Sequence, residues 1–171
     1  MNKTNEISGN SLADLNTHHI EGIARMGNKH FRVPLYSQIT DRLWTGGCPR
    51  GAAPEEFEFI VCLYPWETYD VPNEHCTTLV ARLYDSGDIP DERVLYALAD
   101  YVDAVSRIGP TLVHCQAGLN RSALVAGLAL IRGGLRPDDA IRLLREKRCD
   151  AVLCNTSFEN WLLQQPVGRP H

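Results

Sequence analysis

The stretch from Thr111 to Arg132 leaves few folds open. Thr111-Leu-Val-His114 is a short apolar and β-branched run of the kind that forms a strand. Arg121–Arg132 is apolar nearly all round, through Ala123-Leu-Val-Ala-Gly-Leu-Ala-Leu-Ile131, and reads as a buried central helix ending at Gly133-Gly134. Only Cys115-Gln-Ala-Gly-Leu-Asn120 lies between them. A strand that hands over to a helix through so short a loop is a unit of an α/β sheet. The loop also lies where anions bind, because the first helical amides lack partners and the helix dipole adds partial positive charge. Gly118 allows the backbone to turn sharply around such an anion.

The rest of the chain alternates in the same way. Arg42–Thr45, Phe59–Tyr64 and Thr77–Tyr84 are apolar or β-branched runs bounded by Gly, Pro or Asp, and predict three further strands. The near-continuous apolar character of Phe59–Tyr64 suits a strand buried on both faces. A helix is predicted over Asp91–Ile108, where Val94, Leu95, Leu98, Tyr101, Val102 and Val105 recur at helical spacing before Gly109-Pro110. Another is predicted over Pro137–Lys147, where Asp138 and Asp139 at the start and Arg145, Lys147 and Arg148 at the end complement the helix dipole. A short last helix is predicted over Ser157–Gln164. Together these elements predict an α/β fold with a small, mostly parallel central sheet of about four to five strands flanked by helices. Residues 1–30 are polar and read as a flexible arm, residues 31–165 as one domain, and residues 166–171 as a tail.

A chain of 171 residues, 44% apolar and 22% charged, is long enough to bury a core without a stapling metal or disulfide. Its six cysteines, Cys48, Cys62, Cys76, Cys115, Cys149 and Cys154, are irregularly spaced and include no CxxC pair. That spacing speaks against a zinc site and a disulfide framework, so no metal or cofactor is expected. A formal charge of −4 argues against a nucleic-acid partner. No apolar run approaches the ~20 residues that span a bilayer, and Met1–Asn16 has no hydrophobic signal region. The expected setting is therefore the cytoplasm, without membrane contact. Nothing in the sequence bears on oligomeric state.

The loop carries its own chemistry. A cysteine attacks as its thiolate, and converging amides at a helix start favour that anion. Arg121, at the start of the helix, can offer a planar fork to two oxygens of a phosphate held over Cys115.

His114-Cys115, five residues, then Arg121-Ser122 resembles the active-site motif of the protein tyrosine and dual-specificity phosphatases. The resemblance implies that Cys115 is a nucleophile forming a phosphocysteine, and that Gln116, Ala117, Gly118, Leu119, Asn120 and Arg121 form the phosphate-binding loop. It further implies that Ser122 donates to the departing sulfur, and that His114 supports the loop and helps hold the thiolate. A phosphorylated protein is the implied substrate. The family uses an Asp as general acid, placed after a strand some thirty residues before the nucleophile. Asp85, Asp88 and Asp91 are the candidates; Asp85 fits best, while Asp88 and Asp91 also suit the start of the following helix. Flanking likeness is weaker: Ile39–Gly47 resembles the family's entry strand and Asn155–Leu163 its closing helix. The uncharged loop residues 116–120 disfavour a phosphoinositide substrate. Gly118-Leu-Asn-Arg121 is similar to the loop of related RNA 5′-triphosphatases, which typically lack the acid. A non-catalytic phosphate-binding module is the third alternative. Cys62, in a strand predicted beside the loop, is a candidate resolving thiol for an oxidised Cys115.

Overall fold

The computed structural model describes residues 19–26, 29–71 and 74–169. Among them, β1 (His19–Met26) and β2 (Lys29–Pro34) pair antiparallel as a separate two-stranded sheet. The main sheet contains β3 (Tyr36–Thr40), β4 (Leu43–Gly46), β5 (Phe59–Cys62), β6 (Thr77–Val80) and β7 (Thr111–His114), in the order β3-β4-β7-β5-β6. β3 and β4 are antiparallel, and all other neighbours are parallel. The helices are α1 (Glu92–Ser106), α2 (Arg121–Arg132), α3 (Pro137–Lys147) and α4 (Thr156–Leu163). This is the small, mostly parallel sheet with flanking helices that the sequence pattern predicts.

β7 lies at the centre of the sheet, and its four residues are all buried. Its parallel register places Gly46, His114 and Cys62 side by side at the carboxyl ends of β4, β7 and β5. Ligand sites of parallel sheets form at that edge, and Cys115 is the next residue beyond it. α2 packs on β7 and lies against α1, α3 and α4. Its apolar surface on all sides follows from that position: Leu124, Val125, Leu128 and Ile131 are essentially inaccessible. Each such side chain contributes about 1.5–3 kcal/mol of burial energy. Gly127 has no side chain because α3 and α4 close over it. A Cβ there would press on Leu162 and Leu144 at 3.1 and 3.3 Å.

β3 escapes prediction because Tyr36-Ser-Gln-Ile-Thr40 is neither a continuous apolar run nor a clean alternation. It forms by pairing across the Asp41-Arg42 turn with β4, whose residues are all buried. Phe57 then packs edge-on against both Tyr36 and Trp44, which the register puts on the same face. β6 is shorter than the predicted run to Tyr84. Ala81 makes a last ladder bond to the Cys62 carbonyl, and the chain then leaves the sheet edge toward the loop after β7.

Of the expected arm, residues 1–18 and 27–28 lie outside the described residues; the others belong to the β1–β2 pair. Of the expected tail, residues 170–171 lie outside them. Gly168 donates to the Ile131 carbonyl, and Arg169 pairs with Asp100 and Asp103. Among the described residues no helix is long and apolar enough to cross a membrane.

Candidate active site

The backbone between β7 and α2 is fully accounted for on one side and open on the other. Each carbonyl from Cys115 to Asn120 accepts a hydrogen bond. Cys115 O is met by His114 Nδ1 at 3.3 Å and Gln116 O by the Cys48 amide at 3.0 Å. Ala117 O is met by Arg148 Nη2 at 3.0 Å and Gly118 O by Arg148 Nε at 2.6 Å. Leu119 O accepts from the Leu153 amide at 2.9 Å, and Asn120 O from the Leu124 amide at 2.8 Å. Among the described residues, the amides of Gln116, Ala117, Leu119, Asn120 and Arg121 have no protein acceptor. Carbonyls satisfied from outside and amides left available are what an anion cradle requires. Gly118 makes the turn possible at φ +70°; a Cβ would overlap both the Gly46 carbonyl and the Arg148 guanidinium. Leu153, also left-handed at φ 60°, aims its amide at the loop from the opposite side.

Cys115 follows the strand, 2% exposed, with its Sγ 3.3 Å from the Gly118 amide and 3.4 Å from Ser122 Oγ. Both neighbours can donate to a thiolate. Arg121 is buried at the helix start. Its Nη1 donates to the Leu83 carbonyl at 3.3 Å, its guanidinium stacks on Tyr64 at 5.0 Å, and its Nε has no partner among the described residues. A buried guanidine N–H without an acceptor is costly, and a phosphate oxygen would supply one.

His114 is inaccessible to solvent, and burial pulls its pKa down to about 4, so it is neutral at pH 7. Since the Cys115 carbonyl can only accept, Nδ1 carries the proton and Nε2 accepts from the Tyr69 hydroxyl at 2.7 Å. Burial pushes the Tyr69 phenol up, which keeps it a donor. His114 therefore brings hydrogen bonds to the loop rather than a charge.

Of the three acid candidates, the structure brings only Asp85 to the loop. Its carboxylate accepts from Asn120 Nδ2 at 3.0 Å and from Asn155 Nδ2 at 2.9 Å. Asp91 is the N-cap of α1, accepting from the Arg93 amide. Asp88 is exposed and makes no side-chain hydrogen bond among the described residues. The Asn120 side chain is turned to Asp85, to the Asn155 amide and to the Cys154 thiol, not to the cap of its own helix. Asn155 uses Oδ1 to cap α4 and Nδ2 to reach Asp85 and Ser86 O.

An aromatic ridge borders the site. Trp66 lies 5.0 Å from Tyr64 and 5.4 Å from Tyr84, and Arg82 stacks on Trp66 at 5.5 Å. Trp66 and Tyr84 are 45% and 60% exposed and present their rings to solvent, while Tyr64 packs partly against the core. All six cysteines are unpaired. Cys62 is buried in β5 opposite His114, and burial pushes its thiol up; burial pushes Cys48 up to about 12.

Arg148, Tyr69 and Asn155 join the site without a local signal of such a role. Arg148 follows two basic residues at the end of α3 and looks like a helix-end charge, yet it is 3% exposed. Asn155 is legible as a cap, but its second contact depends on Asp85, seventy residues away.

The state of His114 sets a pH dependence. Its pKa falls from an unfolded 6.5 to about 4 on folding. Between those values the unfolded chain binds a proton that the folded chain does not, so stability is lost as pH drops through that window. His114→Asn should be destabilised at pH 7, and its deficit relative to wild type should shrink by about 2 kcal/mol on going to pH 5. Urea unfolding of both proteins at the two pH values measures it; a constant deficit contradicts a neutral buried His114.

Comparison with known proteins identifies the family and the fold. The family model for the catalytic domain of dual specificity phosphatases matches residues 70–166. Human protein tyrosine phosphatase type IVA 3 is 36% identical over 78 residues, covering 44% of this chain and 45% of that protein. Protein tyrosine phosphatase PRL-1 of Trypanosoma cruzi is 32% identical over 85 residues, covering 47% of each. The chain thus spans about half the length of the curated relatives it matches. Among solved structures, human DUSP28 superposes with a TM-score of 0.60 at 17% identity, over 77% of this chain and 94% of that one. The tyrosine phosphatase OH1 of Orf virus gives 0.59 at 21% identity, over 77% and 86%. At such identities the superpositions establish the fold. The family model covers more than half of the sequence, and the chain belongs to the dual specificity phosphatase catalytic-domain family.

Proposed function

We propose that this chain hydrolyses phosphate monoesters through a phosphocysteine on Cys115, and that its substrate is a phosphorylated protein. The observation that carries the reading is the loop itself, with its carbonyls tied from outside, its free amides, and Sγ and Arg121 at its two ends. In the first step the Cys115 thiolate attacks phosphorus opposite the ester oxygen. The S–P bond forms, the P–O bond breaks, and Asp85 passes its proton to the departing oxygen. Arg121 and the loop amides hold the equatorial oxygens throughout. In the second step water attacks phosphorus and gives its proton to Asp85. The S–P bond breaks, and the Ser122 hydroxyl stabilises the returning thiolate, 3.4 Å from Sγ. We take residues 31–165 as the catalytic unit. A reducing compartment such as the cytoplasm suits a nucleophilic thiol among six unpaired cysteines.

The ridge of Tyr64, Trp66 and Tyr84 supports phosphotyrosine as the favoured residue. It runs outward from the guanidinium that would hold the phosphate, so an aryl ester held there lies along aromatic faces.

Asp85→Asn should lower kcat on a phosphotyrosine peptide by about 10²–10³-fold, and by much less on an aryl phosphate with an acidic phenol. Asp88→Asn should leave both unchanged, with Cys115→Ser as the inactive blank. A leaving-group-dependent loss in Asp88→Asn instead would move the acid to Asp88.

For substrate class, Trp66→Ala should reduce kcat/KM for a phosphotyrosine peptide by about 3- to 10-fold while changing that for the matching phosphothreonine peptide less than about twofold. Equal losses on both peptides would remove the aryl preference.

A further inference from the structure

Arg148 is a buried guanidinium with no acidic partner among the described residues. It is 3% exposed, and its hydrogen-bond partners among the described residues are all neutral oxygens: Pro34 O, Thr45 O, Ala117 O, Gly118 O and Ser37 Oγ. No carboxylate among the described residues pairs with it. Burial pulls its pKa down to about 10, well above neutrality, so the charge persists. A buried charge is normally paired, and an unpaired one is costly. Its fork geometry accounts for the hydrogen bonds but leaves the charge itself unbalanced.

One route by which it can be balanced runs through a peptide group of the loop. Arg148 Nη2 donates to the Ala117 carbonyl at 3.0 Å, and the amide at the other end of that same peptide, Gly118 N–H, donates to Cys115 Sγ at 3.3 Å. In a trans peptide the C=O and N–H point in opposite directions. The 117–118 group thus lies between the guanidinium and the sulfur, polarised by one toward the other.

We propose that Arg148 is a positioning residue of the phosphate site, the fixed cation whose counter-charge is the anion held in the loop, acting through the Ala117–Gly118 peptide. The proposal rests on the loop being an anion site, as the phosphatase reading requires. It explains why residues 116–120 can all be uncharged: the positive charge comes from beneath the loop rather than from its side chains. It also explains the closeness of Gly118 to Arg148, since any side chain at 118 would push the guanidinium away.

The test compares wild type, Arg148→Met and Arg148→Lys in the full chain, each checked for cooperative thermal unfolding. Two readouts report the charge rather than the packing. One is calorimetric affinity for inorganic tungstate. The other is the ratio of alkylation rates of Cys115 by anionic iodoacetate and neutral iodoacetamide, followed by peptide mass spectrometry. Arg148→Met should lose about tenfold or more in both, while Arg148→Lys, though less stable, should stay within about threefold of wild type. A folded Arg148→Met with unchanged affinity and ratio overturns the proposal. If Arg148→Met does not fold, a folded Arg148→Lys that has lost both overturns it equally, because the charge is present there and does nothing. Hydrolysis of a phosphotyrosine peptide by wild type is measured in parallel. Absent turnover with both anion readouts intact sinks the phosphatase reading and leaves Arg148 in place; turnover with readouts indifferent to Arg148 does the reverse.

Discussion

A loop that offers its amides to an anion must find donors for the carbonyls it turns the other way. Those carbonyls are buried, and each one left unpaired would cost on the order of 1–3 kcal/mol. In this protein that requirement organises much of the fold. The donors come from the strand's own end (His114), from the segment after β4 (Cys48), from the end of α3 (Arg148), from the turn before α4 (Leu153) and from α2 (Leu124). Parallel pairing of β4, β7 and β5 brings the first of these to one edge, and packing of α3 and α4 on α2 brings the others.

The same convergence ties the acid candidate to the nucleophile loop. Asn120 belongs to that loop, yet its side chain spans to Asp85 on one side and to the Asn155 amide on the other. Asn155 closes the triangle, reaching Asp85 while capping α4. A carboxylate on an exposed segment is thereby held by two amides that are themselves fixed by helix starts, and side-chain geometry at the site is set by secondary structure rather than by loop conformation. The Arg121 bond to the Leu83 carbonyl adds a further link between the clamp and the segment after β6 that carries Asp85.

What was legible in the sequence was local. α2 and α3 have the boundaries that their apolar pattern and flanking Gly and Pro predict, and the loop between β7 and α2 is marked by residue type and spacing together. Asp85 stands out by its place after an apolar run, and the structure adds its bonds to Asn120 and Asn155. The unread parts depend on distant partners. β3 has no strand pattern of its own and exists because β4 pairs with it. Arg148 looks like any basic residue closing an exposed helix, and only the approach of β3, β4 and the loop around it turns it into a buried cation. Tyr69 reads as one aromatic among several, and its role is set by a histidine forty-five residues later.

The central claim is that Cys115 Sγ is the atom that takes the phosphoryl group. The direct measurement is rapid acid quench of wild-type protein mixed with a radiolabelled phosphotyrosine peptide, followed by mapping of the labelled protein fragment. The account predicts transient label on Cys115 that forms and decays at rates consistent with turnover, and none in Cys115→Ser. Turnover at the same rate with no labelled protein, or label on any other residue, would contradict it.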